Sequence, residues 1–428
     1  MPVLPYGNNL SVQLDFSRAA AAVEVPRGQA LADLAAAALA ALQSPMDFPP
    51  LAQCVMPADR VVLALDHDIP QVAHIVAAVV QTLTEAGVEP ESITVLQSQA
   101  DHAAHATDPR QLLPLALQKR IALLPHNPAD RRELAYLAAD KAGEAILINR
   151  TLHEADVVLP ISCLRDSRAA GYFGIHGAVY PTFSDVKTQQ RFRGLTALHH
   201  HCRCRDHSRS HAHSHDHGSD GDDRRRELAA DVEHVAWLLG LMFTVQVVPA
   251  AGDRVLHVLA GQSDSVRRNG ERLYQAAWAT PVERRAGLVV AAIEGGSSQQ
   301  TWENVGRALH VAENFVEADG AIAVCCDLAT PPGTAMRQLA GAASHESALK
   351  HIAKERPDDT LAAVQLAQAL AQHKVYLMSR LDAAAVEELD MIPIEKPDEL
   401  VRLVKQHDAC ILLPNAPFVV AGDGETKD

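Results

Sequence analysis

Aromatic side chains are scarce, 4% of 428 residues, so whatever cores form must be built from aliphatic residues and alanine. Basic charge is also short: 38 Lys+Arg stand against 53 Asp+Glu, a net −15. That balance argues against nucleic acid and against an anionic membrane surface, both of which ask for basic patches. No window approaches the roughly 18 uncharged apolar residues of a membrane-spanning helix. The start, MPVLPYGNNLSVQLDF, lacks a basic segment followed by an apolar run, so a cytoplasmic protein is expected. Seven cysteines, at 54, 163, 202, 204, 325, 326 and 410, form no regular framework, and reduced thiols are expected.

What is present is alternation. From residue 60, RVVLALD, ITVLQ, RIALLP and DVVLPI are short apolar runs separated by amphipathic helical segments. This is the pattern of a parallel sheet covered on both faces. A second series follows residue 240: FTVQVVP, VLHVLAG, GLVVAAIEGG, GAIAVCC, KVYLMS and ACILLP. The chain is long enough for two domains of roughly 200 residues. The fold class expected is therefore α/β: two α/β domains with largely parallel sheets and a cleft between them. The division is placed at 1–245 and 246–428.

Ligands in such sheets lie at the carboxyl ends of strands. Those ends carry Asp66-His67-Asp68, then His102, then His126-Asn127, and each is expected to face one crevice. EGGSS (294–298) offers a strand-to-helix turn whose amides could face an anion. Ser162 and Cys163 could suggest a nucleophile, but no glycine elbow follows them.

Between the two series lies HHHCRCRDHSRSHAHSHDHGSDGDDRRR (199–226), with eight of the chain's 22 histidines. Polar low-complexity sequence cannot bury enough apolar area to offset its entropy, so an insertion in the first domain, without a packed core, is expected. His199, His200, His201, Cys202, Cys204, His207, His211, His213, His215 and His217 are candidate ligands for a transition metal, nickel or zinc. The tract lacks the fixed spacings of a structural zinc module.

Several segments, in order, resemble the nickel-dependent lactate racemase family over nearly the full length: ALAALQSPMDFPPL, LALDHDIP, ITVLQSQADHA, LLPHNPAD, INRTLHEADVVLPI, and VVAAIEGG followed by WENVGRALHVAENFVEADGAI. The resemblance implies two α/β domains closing over a nickel-pincer nucleotide that is tethered through a lysine, with a histidine completing the nickel. Two further histidines would move the proton of a 2-hydroxy acid while the cofactor takes and returns a hydride. On that likeness Asp66, His67, Gly171, Tyr172, Gly174, Gly177, Asn304 and Arg307 fall at cofactor-binding positions, and His102 and Asp66 at catalytic ones.

The departures are concentrated. Asp68 and Ile69 stand where the family's signature has threonine and arginine, Ser167 where it has the second acid/base histidine. Gly177 replaces the tethering lysine and Arg193 the nickel histidine. His176, one position before Gly177, is a candidate replacement base. The expectation is a non-racemising member that binds a small hydroxy acid, a nucleotide-like ligand or a metal. The alternative is an active isomerase, a 2-hydroxy-acid racemase or epimerase with a modified nickel cofactor or metal site.

Overall fold

The computed structural model describes residues 2–14, 19–103, 108–140, 143–166, 169, 171–194, 218–342 and 344–422. Two six-stranded sheets organise them. The first runs, edge to edge, Val255–Gln262, Phe243–Pro249, Val157–Cys163, Val61–Leu65, Ile93–Ser98, Ala122–His126. All neighbours are parallel except the Phe243–Pro249/Val255–Gln262 hairpin. The second runs Ile392–Pro393, Lys374–Met378, Val316–Cys325, Ala286–Ala292, Ala409–Leu413, Ala19–Ala22 and is parallel throughout.

Composition explains the layering. Val61–Leu65 is VVLAL, buried at every residue, and pairs in register with Val157–Ile161 on one side and Ile93–Leu96 on the other. A central parallel strand has no solvent face, so polar alternation is absent. Helices such as Val72–Glu85 and Trp302–Ala312 cover the faces with apolar stripes. Thr301 starts the latter, its hydroxyl accepting from the Asn304 amide at 3.2 Å.

The two-domain α/β reading holds, but the division at 245/246 falls inside a strand. Phe243–Pro249 belongs to the first sheet, with Val245 opposite Ile161, and Val255–Gln262 extends the same sheet. The connection 250–254 is too short for a crossover helix, which leaves a hairpin as the available link. At the other end, Ala19–Ala22 pairs with Ala409–Leu413 in the second sheet. The chain thus crosses between the two units near both ends of the first.

Each sheet has a point where strand order reverses. In the first it lies between Val61–Leu65 and Val157–Cys163; in the second, between Ala286–Ala292 and Ala409–Leu413. Such points open a crevice at the strand ends. The hairpin turn 250–254 fills the second one: the Gly296 amide donates to Asp253 Oδ2 at 2.5 Å and the Gly252 amide to Asn415 Oδ1 at 2.9 Å. The EGGSS turn therefore does face an anion, and it is the chain's own Asp253.

Candidate functional site

The first reversal point remains a polar cleft. The chain leaves Val61–Leu65 with the Asp66 amide still bonded to Ile161 O at 2.9 Å. Asp68 then takes a left-handed backbone, φ 54°, which aspartate tolerates better than most residues. That turn sends Ile69 into the core, 6% exposed, so the position aligned with the signature's arginine is a packing residue. It leaves the Asp68 carboxylate facing two guanidinium groups.

Arg165, just past the end of Val157–Cys163, places Nη2 3.3 Å from Asp68 Oδ2. Arg307, on Trp302–Ala312 of the second unit, places Nη1 3.8 Å from the same oxygen. Arg165 is buried, and its guanidinium lies 5.6 Å from the centre of the Phe418 ring. Asn304 orients Arg307: its Oδ1 accepts from Arg307 Nη1 at 2.8 Å, and its Nδ2 donates to Gln299 O at 2.9 Å. Burial, with Arg165 nearby, pushes Arg307 down to about 10. Burial also raises the Asp66 carboxyl above the usual carboxylate range, and Glu303 stands beside Arg307 on the same helix. Asn304 and Arg307 stand at the cleft together with Asp66, and Arg165 and Glu303 join them there.

The neighbouring strand end supplies a histidine–carboxylate pair. His67 Nδ1 lies 2.7 Å from Asp101 Oδ2, and Ser98 Oγ donates to that carboxylate at 2.6 Å. Gln97 Nε2 donates to His102 Nδ1 at 2.7 Å. Burial opposes charge on His67, yet Asp101, Asp66 and Asp68 outweigh it and raise the ring to about 10. A folded value above the unfolded 6.5 means that the pair stabilises the fold fully below pH 6.5 and loses this as pH rises toward 10. Because 45% of the His67 side chain is exposed, solvent screening reduces the effect to about 1 kcal/mol or less. The expected result is that His67→Gln costs this much at pH 6 and almost nothing near pH 10, read by urea denaturation; a cost independent of pH would refute it.

The other histidines are held by the fold. His126 Nε2 donates to Ser184 O at 2.8 Å while Nδ1 accepts from Asn149 Nδ2 at 3.0 Å, and burial lowers its basicity. It is a sealed structural residue at 1% exposure. His176 turns to Glu233 on Gly218–Leu238, with Nδ1 3.1 Å from Oε1. Its ring is therefore engaged by the helix after the histidine tract rather than by His102.

The loop that carries the glycine pattern is tight. Gly171 and Gly174 have φ of 75° and 83°. Tyr172 reaches Gln246, its hydroxyl 3.5 Å from Nε2, and burial pushes its phenol up. A Cβ at Gly177 would lie 3.1 Å from Gly174 O and 3.2 Å from Phe173 Cβ. Arg193, in the helical stretch 186–194, bonds Gln189 Oε1 at 2.9 Å and pairs with Asp358 of the second unit at 2.7 Å. Ser167 and the tract residues His199, His200, His201, Cys202, Cys204, His207, His211, His213, His215 and His217 lie outside the described residues. Among the described residues no three His, Cys, Asp or Glu side chains are grouped to hold a metal ion, and no helix is long and apolar enough to cross a membrane. Ser162 and Cys163 end a buried strand, and burial pushes the Cys163 thiol up to about 12, which disqualifies it as a nucleophile.

Three cleft residues escape a reading that looks for histidines: Arg165, Asp101 and Glu303. The strand-end rule would have found Arg165, because it follows DVVLPISC by two positions just as Asp66-His67-Asp68 follows VVLAL.

Residues 6–210 match the lactate racemase N-terminal domain. The structure is similar to the lactate racemase apoprotein from Thermoanaerobacterium thermosaccharolyticum, with a TM-score of 0.72 at 16% identity, covering 98% of this chain and 99% of that one. It is also similar to a structural-genomics protein from Thermotoga maritima, with a TM-score of 0.65 at 12% identity, covering 92% and 99%. No curated protein sequence matches. Residues 6–210, just under half of the chain, thus belong with the lactate racemase N-terminal domain, and the chain as a whole shares the fold of a lactate racemase apoprotein.

Proposed function

We propose that this chain is a non-racemising member of the lactate racemase family, one that binds a small hydroxy acid or a nucleotide-like ligand in the cleft between its two units. The observation that carries this reading is the state of positions 177 and 193. Gly177 has no amine to tether a cofactor and is packed closely enough that even a Cβ would need its neighbours to move by a few tenths of an ångström. Arg193 is a cation already paired to Asp358, where a nickel ligand would have to be a neutral or anionic lone-pair donor. The residues present do not fit a lysine-tethered nickel-pincer nucleotide.

The cleft keeps polar groups suited to holding a hydroxy acid: the Arg165 and Arg307 guanidiniums, His102 and the His67–Asp101 pair. His67 and His102 also support the second reading, an active racemase or epimerase, because acid/base groups remain at adjacent strand ends. Inverting a stereocentre needs such a group on each face of the substrate, and His67 and His102 both come from the first unit, while the opposite wall offers Glu303.

The test is coexpression of the full chain, and of a form lacking 199–226, with the enzymes that make the nickel-pincer cofactor. Intact mass, nickel content and interconversion of D- and L-lactate are then measured. The expected outcome is an unmodified mass, no racemisation, and nickel that departs with the tract. Stoichiometric nickel and an added mass in the shortened form would overturn the reading.

A further inference from the structure

Asp68 is placed oddly for a simple structural ion pair. Its carboxylate comes from a left-handed turn, a conformation side-chain-bearing residues rarely adopt, and it meets guanidiniums from two different units. The separations of 3.3 and 3.8 Å both involve the same oxygen and exceed the usual 2.7–2.9 Å or so of a charge-assisted hydrogen bond. The Arg165 side chain is 6% exposed, and its buried Nη1 has no hydrogen-bond partner among the described residues; nor has Arg307 Nε. Buried guanidinium groups ordinarily satisfy more of their donors than this.

We infer that Asp68 is a built-in competitor for a ligand carboxylate, filling a seat between Arg165 and Arg307 that would otherwise receive the carboxylate of a small acid. A free carboxylate could approach both cations more closely than one held by the turn, and could present both oxygens. Asp66 lies near both arginines and Glu303 near Arg307, but among the described residues neither forms an ion pair with a guanidinium as Asp68 does. The seat thus holds two permanent cations and one tethered anion, and entry of a ligand carboxylate requires Asp68 to be displaced. This rests on the proposed binding role and adds that Asp68 stands in the carboxylate's place, so that the native chain would hold a small acid weakly.

The inference is tested by calorimetric titration of the full chain with sodium lactate in the absence of any cofactor. Asp68→Asn removes the charge, keeps the size, and suits the left-handed backbone; Asp68→Gly serves if the asparagine variant does not fold. The expected result is that the variant binds lactate at least tenfold more tightly than the native chain, and that adding Arg307→Gln abolishes the gain. A folded Asp68→Asn protein that binds no more tightly would overturn the inference. So would a gain that survives loss of Arg307, since the anion would then sit elsewhere. Racemisation or an added mass in the native chain would sink the proposed non-racemising role without changing these titrations.

Discussion

Replacing Arg165 with alanine is expected to lower the unfolding free energy by about 3–5 kcal/mol, the usual cost of removing one partner of a buried ion pair. The side chain is 6% exposed and its partner Asp68 14%, so neither can be rehydrated without opening the cleft. Asp66 is affected too, because the Arg165 charge is among the influences that hold its carboxyl down against burial. The loss includes packing, since the guanidinium lies over Phe418 in the segment after the Ala409–Leu413 strand. Most of the cost is that of a stranded carboxylate rather than of a lost attraction. Adding Asp68→Asn should therefore recover part of it, and the double-variant cycle should show a coupling above about 1 kcal/mol. Urea denaturation of the four proteins measures this. If Arg165→Ala cost less than about 1 kcal/mol, Arg165 and Asp68 could not form a buried pair in this geometry.

The same residue shows how far sequence reasoning reaches. The run VVLAL leading into Asp66-His67-Asp68 is legible because apolar continuity marks a central strand and ligand-facing residues gather where it ends. Residues just past a strand end, however, are sorted by a backbone turn that sequence does not display. Asp68 turns toward the cleft and Ile69 toward the core, although they are adjacent. Residue type also conceals partnership. His126 and His176 resemble catalytic histidines until Asn149, Ser184 and Glu233 are placed around them. Those partners lie between 23 and 58 residues away in the chain. The assignment of Phe243–Pro249 failed for another reason. A strand run names no sheet, and only the shortness of the 250–254 link pointed to a hairpin rather than a crossover.

The cleft depends on one close helix contact, and Gly306→Val should break it at a cost of about 3 kcal/mol, the upper end of what overpacking usually costs. Gly306 lies on Trp302–Ala312, two residues from Asn304 and one from Arg307. A Cβ there would stand 3.2 Å from Ala362 Cα on the helix Thr360–Gln372, and would collide with Gln365 Oε1. The amide of Gln365 can swing aside, but the backbone of Ala362 cannot, so the helix itself must move. Buried glycine in a helix is otherwise unfavourable by up to about 1 kcal/mol against alanine, which makes close approach the physical reason for it. Displacing the helix carries Arg307 away from Asp68 and loosens the Asn304 contact to Gln299. Stability and carboxylate binding should therefore fall together. In the Asp68→Asn background, Gly306→Val should lose most of the gained lactate affinity, whereas Gly306→Ala, which needs only a small shift, should keep more of it. If Gly306→Val were as stable as the native chain, the two helices could not be as close as they stand, and Arg307 could not be held where it reaches Asp68.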